Sequence, residues 1–579
     1  MRRPDCDEPQ PTAPLKLCVQ EFDRYVMTVS SQAVASLAAD AQLELSAAYA
    51  RLQALLASLG MHYMADTATA TAAALQFARD EFLSVFRRQN PAGGQRQAAA
   101  AQLASAVPAG TTVLLSQDTA ACSLAEGWQV QCMAGEVAFI SSGFSAGSAV
   151  PPAKKAPRTG GGRPAWRPPP VSLAISSTRT KIIPDGNIKS VNAADDGGPI
   201  VNLDGGASAP GVVVDSATGT AVDVDGSRVQ LTGPQASDGA RAQHIIQLCA
   251  AASVPLPGIP AHVAALPVLA SACPGWVCYA EKTHPAALQH ISRVKSPQAL
   301  AGEMVKFSLG SASSSGVPAA AGSGRVYHCT LMPCFDKKLE ASRRDMYSET
   351  GGADGVKLVD CVITPEEVGA LLQERGFASL AEVPLPSGGV EGGSLQPLEW
   401  AGGESGGAVV EGDAAGSGGY AAAILRGACA ELLGVQLEGA LPWQEGRNTD
   451  LRSVAVTVDG TTVLSVATAY GFRNIQTVMT RMKTGRCTWD YVEAMACGGG
   501  CPNGGGQLRV RPSTAQDGTE EKATPAQQRA RVSEVTALLA SRAQLAPAAA
   551  AAAVAAARGR ERTGYHALPT AGTSGAVAW

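Results

Sequence analysis

The residues best suited to chemistry in this sequence are thiols set among glycines and prolines. Three segments carry them: Ala272-Cys273-Pro274-Gly275-Trp276, Met332-Pro333-Cys334-Phe335-Asp336-Lys337-Lys338, and Ala496-Cys497-Gly498-Gly499-Gly500-Cys501-Pro502-Asn503-Gly504-Gly505-Gly506. In each, a thiol follows an apolar run, and the third places two thiols four residues apart among six glycines. An iron–sulfur cube needs such a setting. Its bridging sulfides take hydrogen bonds from backbone N–H groups, glycine lets the chain wrap closely, and four thiolates ligate the irons. A zinc tetrahedron is the competing use of four thiolates, although zinc sites generally show two C-x-x-C knuckles and only one close pair exists here. Isolated buried thiols are the third reading. Cys329, Cys361 and Cys429 read as small buried hydrophobes, and Cys278 reads as a packing thiol near Cys273. Cys6 and Cys18 cannot by themselves hold a cluster.

The elements that must position these thiols alternate between strand and helix, which predicts an α/β fold. Tyr25 to Val29 reads as a strand, Ser46 to Gly60 as a helix with Tyr49, Leu52, Leu55, Leu56 and Leu59 on one face, Met61 to Met64 as a strand, and Ala68 to Phe86 as a helix. Strands are expected at Val326–Leu331 and Val359–Ile363. Thr364-Pro365-Glu366-Glu367 is a capping box, so a helix should start there and stop at Gly376. Tyr420 to Leu433 reads as helical, and the Asp459-Gly460 dipeptide between two β-branched runs predicts a tight hairpin.

Of 579 residues, 63 are Gly and 36 Pro, while aromatics make up only 5%. Such a composition suggests packed segments separated by loose ones. The stretch 92–263, with Gly160-Gly161-Gly162 and Pro168-Pro169-Pro170, reads as a low-complexity, disordered insertion, and 377–415 as a loop. Residues 511–562 read as a flexible, alanine-rich segment. A formal charge of -4 with no basic block argues against nucleic acid or a membrane surface as partner. The polar, proline-broken start lacks the apolar run of a secretory signal, and the alanine tract is shorter than the ~20 residues of a bilayer span. A soluble intracellular protein is expected.

The segments LASACPGWVCYAEKTH, VYHCTLMPCFDKKLEASR and YVEAMACGGGCPNGGGQ, in that order, resemble the [FeFe]-hydrogenase large-subunit family. The resemblance is closest to its non-hydrogenase eukaryotic branch, the iron-only hydrogenase-like (nuclear prelamin A recognition factor-like) cytosolic iron–sulfur assembly factors. SSQAVASLAA from Ser30, LLASLGMHYMADT from Leu55, ISRVKSPQ from Ile291, ATAYGFRNIQ from Ala467 and TGYHAL near the end agree with it. It implies two hydrogenase-like α/β lobes with a cluster in the cleft between them, spread over 26–91, 264–510 and a tail at 563–579, and interrupted by the long insertion.

On that resemblance Cys273, Cys334, Cys497 and Cys501 match the ligands of one [4Fe–4S] cluster. Lys337 occupies the position that contacts the diiron unit in true hydrogenases, with an ordinary salt-bridging lysine as the plainer reading. Hydrogenases carry a proton-relaying cysteine where this chain has Ala272, and alanine exchanges no proton, so assembly rather than hydrogen turnover is implied. The competing functions are a hydrogenase, and a nuclear or structural interaction protein with a vestigial site. The implied role is an adaptor between early scaffold NTPases and a targeting complex containing a WD-repeat propeller protein. It would deliver clusters to apo-proteins in the cytoplasm, and Trp579 would be the terminal docking aromatic. The family's C-x-x-C-x-x-C run for a second, N-terminal cluster is missing from the leader 1–25, which marks either a divergent one-cluster member or a coding sequence lacking an exon.

Overall fold

A computed structural model of the chain describes residues 22–91, 93–115, 122–124, 127–141, 263, 265–310, 325–348, 355–385, 395–398, 416–510, 523–540 and 547–565, together with short strands within 175–230 and 513–521. Cys6, Cys18 and Trp579 lie outside the described residues, as does most of 377–415. The chain divides into two units, Met1–Lys154 with Ala265–Trp579, and Lys155–Ala264.

In the first unit, one sheet has five strands in the order Cys361–Ile363, Val326–Leu331, Arg24–Val29, Tyr63–Asp66 and Gln396–Pro397, all parallel. A parallel strand covered by helices on both faces reads as a continuous apolar run, which is why Tyr25-Val26-Met27-Thr28-Val29 does not alternate. Met27 and Val29 face Val34, Leu37, Leu52 and Leu55 of helices Ser31–Ala41 and Leu45–Ser58, whereas Val26 faces Val305 of helix Pro297–Gly310 on the other side. The capping box forms as expected. The Thr364 hydroxyl accepts from the Glu367 N–H, the Glu367 carboxylate accepts from the Thr364 N–H, and the helix runs Pro365–Glu374.

The second sheet is mixed. Val268–Leu269, Tyr491–Met495 and Thr461–Tyr470 run parallel, and the last turns back through a hairpin to Leu451–Val458. Asp459 and Gly460 both have positive φ, 46° and 78°, as the tight turn requires. The sheet continues with Glu136–Ser141, Trp128–Met133 and Cys122–Ser123, and Gln444–Glu445 pairs at its side.

These outer strands correct the reading of 92–263 as a disordered insertion over its first part, 95–141. Helix Gln95–Ala106 buries Ala100 and Leu103, strand Thr111–Leu115 pairs with Val435–Gly439, and Trp128, Val130 and Cys132 alternate inward while Val137 and Phe139 are buried. Short apolar runs in Ala- and Gly-rich sequence suffice once a sheet edge offers them a partner. The second unit, by itself, carries short antiparallel strands, among them Ile188–Ala193 paired with Pro199–Leu203.

The reading of 511–562 as flexible is corrected in the same way. Helix Pro525–Ala540 packs on Ser31–Ala41 through buried Val535 and Leu539, and helix Pro547–Ala557 packs on Ala68–Gln89, with Ala553 and Ala557 letting the two backbones approach. Elsewhere the expected elements stand with small shifts. The strand at 61–64 is Tyr63–Asp66, and the helix expected from Ser46 is Leu45–Ser58, preceded by Glu44 with no side-chain cap. Among the described residues no helix is long and apolar enough to cross a membrane.

Candidate metal centre

Three strand ends supply the thiols. Val268–Leu269 leads into Ser271-Ala272-Cys273, Val326–Leu331 into Met332-Pro333-Cys334, and Tyr491–Met495 into Ala496-Cys497 and the glycine loop that carries Cys501. All three strands deliver their residues at carboxyl ends, so one sheet contributes Cys334 and the other contributes the remaining three. Ligands collect at such ends in open parallel sheets.

Close backbone contacts hold the loops together. Cys273 precedes helix Pro274–Thr283, and its sulfur accepts from the Ala496 N–H at 3.3 Å. A Cβ on Gly275 would lie 2.4 Å from Asp336 Oδ2, and one on Gly504 would lie 2.2 Å from the Pro333 carbonyl oxygen, so these glycines are what let the segments touch. Gly500 has φ +72° and no room for a Cβ, which would meet the Ser417 hydroxyl. That hydroxyl accepts from the Cys501 N–H at 3.0 Å, Asp450 Oδ1 accepts from the Gly499 N–H at 2.9 Å, and the Gln507 amide donates to the Cys501 carbonyl at 3.1 Å. Nothing in the sequence points to Ser417 or Asp450, because each reaches the loop from a distant segment.

The four thiols are half-buried and lie close enough to act on one another. Burial pushes Cys334 up to about 12, with the nearby Cys273 adding to it, and Cys497 up to about 11, with Cys273 and Asp336 adding. Cys501 is raised well above the usual thiol range, first by burial and then by the proximity of Cys273, Cys334 and Cys497. Cys273 is raised by burial, opposed by the N–H groups of Ala496 and Trp276. Burial thus favours the protonated form of each of the four. A bound cation would exchange for those protons, the usual condition for thiolate ligation. Among the described residues no three His, Cys, Asp or Glu side chains are arranged to hold a single metal ion.

Lys337 lies close to these thiols and is already occupied. Its ammonium pairs with Glu340 at 2.9 Å and donates to the Ala272 carbonyl at 3.0 Å. Burial works against its charge, but Glu340 and the neighbouring thiols Cys334 and Cys273 outweigh that and raise its pKa. Glu340 in turn accepts from Ser296 and from the Gln298 amide. The salt bridge lies within helix Asp336–Ser342, and it is the lysine's bond to the Ala272 carbonyl that ties the Cys273 loop to that helix. Of the other cysteines, Cys278 is buried, with the Arg343 guanidinium donating to its sulfur at 3.8 Å, and Cys429 is buried in helix Tyr420–Leu433.

Residues 259–505 match the family described as iron only hydrogenase large subunit, C-terminal domain. The chain is 44% identical over 249 residues to cytosolic iron-sulfur assembly component 3 of Bos taurus, covering 42% of this chain and 48% of that protein. It is 42% identical over 265 residues to protein NAR1 of Arabidopsis thaliana, covering 44% of this chain and 51% of that one. The chain thus spans about half the length of these curated relatives. A variant of [FeFe]-hydrogenase HydA1 from Chlamydomonas reinhardtii superposes with a TM-score of 0.50 over 96% of this chain and 97% of that one, at 16% identity, a likeness of fold alone. The region 259–505 is hydrogenase-like, and the relatives named by its sequence are iron–sulfur assembly proteins, as the three cysteine motifs implied.

Proposed function

We propose that this chain is a cytosolic iron–sulfur assembly factor that binds one [4Fe–4S] cluster on Cys273, Cys334, Cys497 and Cys501 and helps pass clusters to apo-proteins. The observation that carries this reading is the meeting of those four thiols at the carboxyl ends of three strands from two sheets, beside a glycine loop with no room for side chains. When bound, the cluster supplies redox-active iron and bridging sulfide. The chain's own part is to deliver four thiols and direct N–H groups at the Cys273 and Cys497 sulfurs.

Hydrogen turnover is not part of the reading. Ala272 offers no exchangeable proton next to Cys273, and Lys337, whose charge acts on Cys273, Cys334 and Cys501, is held by Glu340. The relatives' names support an assembly role. On that basis the partners are early scaffold NTPases, a targeting complex with a WD-repeat propeller protein, and apo iron–sulfur clients. The place of work is the cytoplasm, with the nucleus as a further site.

Iron and acid-labile sulfide, counted after anaerobic reconstitution, test the cluster. About four of each per chain are expected, with loss of both in Cys497→Ser. Zinc without sulfide would overturn it, and about eight of each would mean that further thiols recruit a second cluster. Removal of Trp579 is expected to weaken binding to the targeting complex in a pull-down titration without lowering the iron count; unchanged affinity would exclude it as a docking residue.

A further inference from the structure

Cys329 and Cys361 do not belong to the metal centre, and the sequence reads them as packing residues. The sheet makes them a pair. They are register partners on the adjacent parallel strands Val326–Leu331 and Cys361–Ile363. Register partners project to the same face from backbones about 4.8 Å apart, inside the roughly 4.4–6.8 Å between Cα atoms that a disulfide spans. Both thiols are free, and they hydrogen-bond each other. Cys329 is fully buried in the core, whereas Cys361 is half-buried and begins the strand at the edge of the sheet, where solvent reaches it. The hydrogen bond from Cys329, with Lys338 and Lys357 nearby, holds the Cys361 thiol below its usual range, and Cys329 is pushed up in return. One member of the pair is therefore the accessible nucleophile and the other a resolving thiol already in contact with it.

We propose that Cys329 and Cys361 form a dithiol that a hydroperoxide oxidises to an intramolecular disulfide, separate from the four thiols of the metal centre. The Cys361 thiolate attacks the outer peroxide oxygen, the O–O bond breaks, and Cys361 becomes a sulfenic acid while an alcohol, or water from hydrogen peroxide, leaves. The Cys329 sulfur then attacks the sulfenic sulfur, the S–S bond forms, and hydroxide departs with the Cys329 proton as water. Two thiols lose two protons and two electrons, and one peroxide is reduced. In a compartment that keeps thiols reduced, such a bond is transient.

The position gives the bond a consequence. Directly after Cys361-Val362-Ile363, the Ile363 carbonyl accepts from the Met332 N–H at 2.8 Å, two residues before Cys334. A Cβ on Gly506 would meet Thr364, so the same segment backs the glycine loop of Cys497 and Cys501. Oxidation would fasten together the supports of two of the loops that carry the site.

The test treats the full chain with a few equivalents of tert-butyl hydroperoxide, caps the remaining thiols with N-ethylmaleimide, and maps tryptic peptides without reduction. The expected product joins peptide 326–337 to peptide 358–375 with loss of two hydrogens, and fragment ions place the bond at Cys329 and not at Cys334. Cys334→Ser should leave it intact, and Cys329→Ser should abolish it and leave Cys361 as sulfenic or sulfinic acid. A bond at Cys334, or wild-type Cys361 running on to sulfinic acid with Cys329 still free to react after unfolding, would overturn the proposal. Neither outcome bears on the iron count, so this pair and the cluster reading stand or fall separately.

Discussion

The all-parallel sheet delivers one thiol of the candidate metal centre, Cys334, whereas the mixed sheet delivers Cys273 from one strand end and Cys497 and Cys501 from another. The parallel sheet is sandwiched between helices, and its longer strands are each followed by a helix close in sequence, although its central pairing joins Arg24–Val29 to Val326–Leu331. The mixed sheet draws strands from 128–141, 268–269 and 451–495. Both sheets depend on long-range pairing, but the parallel one repeats a single strand-then-helix rule, whereas the mixed one combines a local hairpin with strands borrowed from an Ala- and Gly-rich stretch. The site needs both, because its thiols approach only where the two sets of carboxyl ends face each other.

The sharpest way to break that comparison is to cut into the outer strands of the mixed sheet. Phe139 is 0% exposed on Glu136–Ser141, so Phe139→Ala should lower unfolding stability by about 3–5 kcal/mol. Chemical denaturation would check this, and a change within about 0.5 kcal/mol, typical of surface sites, would mean that these strands are decoration.

The strands at 128–141 were legible in principle, since Trp128, Val130 and Cys132 alternate with polar or exposed partners, but that alternation sits in a stretch dominated by Ala and Gly. Helix Pro525–Ala540 was not legible, because its docking rests on Val535 and Leu539, one turn apart, which make no stripe. By contrast, the capping box at Thr364 and the Asp459-Gly460 turn are written within four residues and appear as read. The four thiols could be found from their glycine and proline neighbours. The Lys337–Glu340 lock on the Ala272 carbonyl could not, since it depends on which loop the lysine meets in space.

The parallel sheet carries its own weak point in acid. His328 is fully buried on its Val326–Leu331 strand, between the Thr28 hydroxyl and the Leu358 carbonyl, each 2.8 Å away. Burial lowers its pKa from the model-compound 6.5 to about 4, with Lys306 adding to the shift. Between those values the unfolded chain binds a proton that the folded chain refuses, so the stabilising contribution is full above pH 6.5 and is lost as pH falls toward 4. The loss should reach on the order of 3 kcal/mol. Denaturation at pH 7 and at pH 4.5 measures it, and an NMR titration should find one histidine ring neutral down to about pH 5. The smallest expected effect is at the helix start. Thr364→Ala removes the capping box and should cost about 1 kcal/mol in a thermal melt, with the iron count unchanged.

The central strand Arg24–Val29 pairs on one side with Tyr63–Asp66 and on the other with Val326–Leu331. During synthesis the first partner emerges within seconds, but the second lies some 300 residues later, about 15–60 s away at roughly 5–20 residues per second. Until then Val26, Met27 and Val29 have one open flank on the ribosome. Cys501, the last of the four candidate thiols, emerges later still. The growing chain therefore has to be kept from aggregating until residue 331 is out, and the four thiols cannot meet before Cys501 follows.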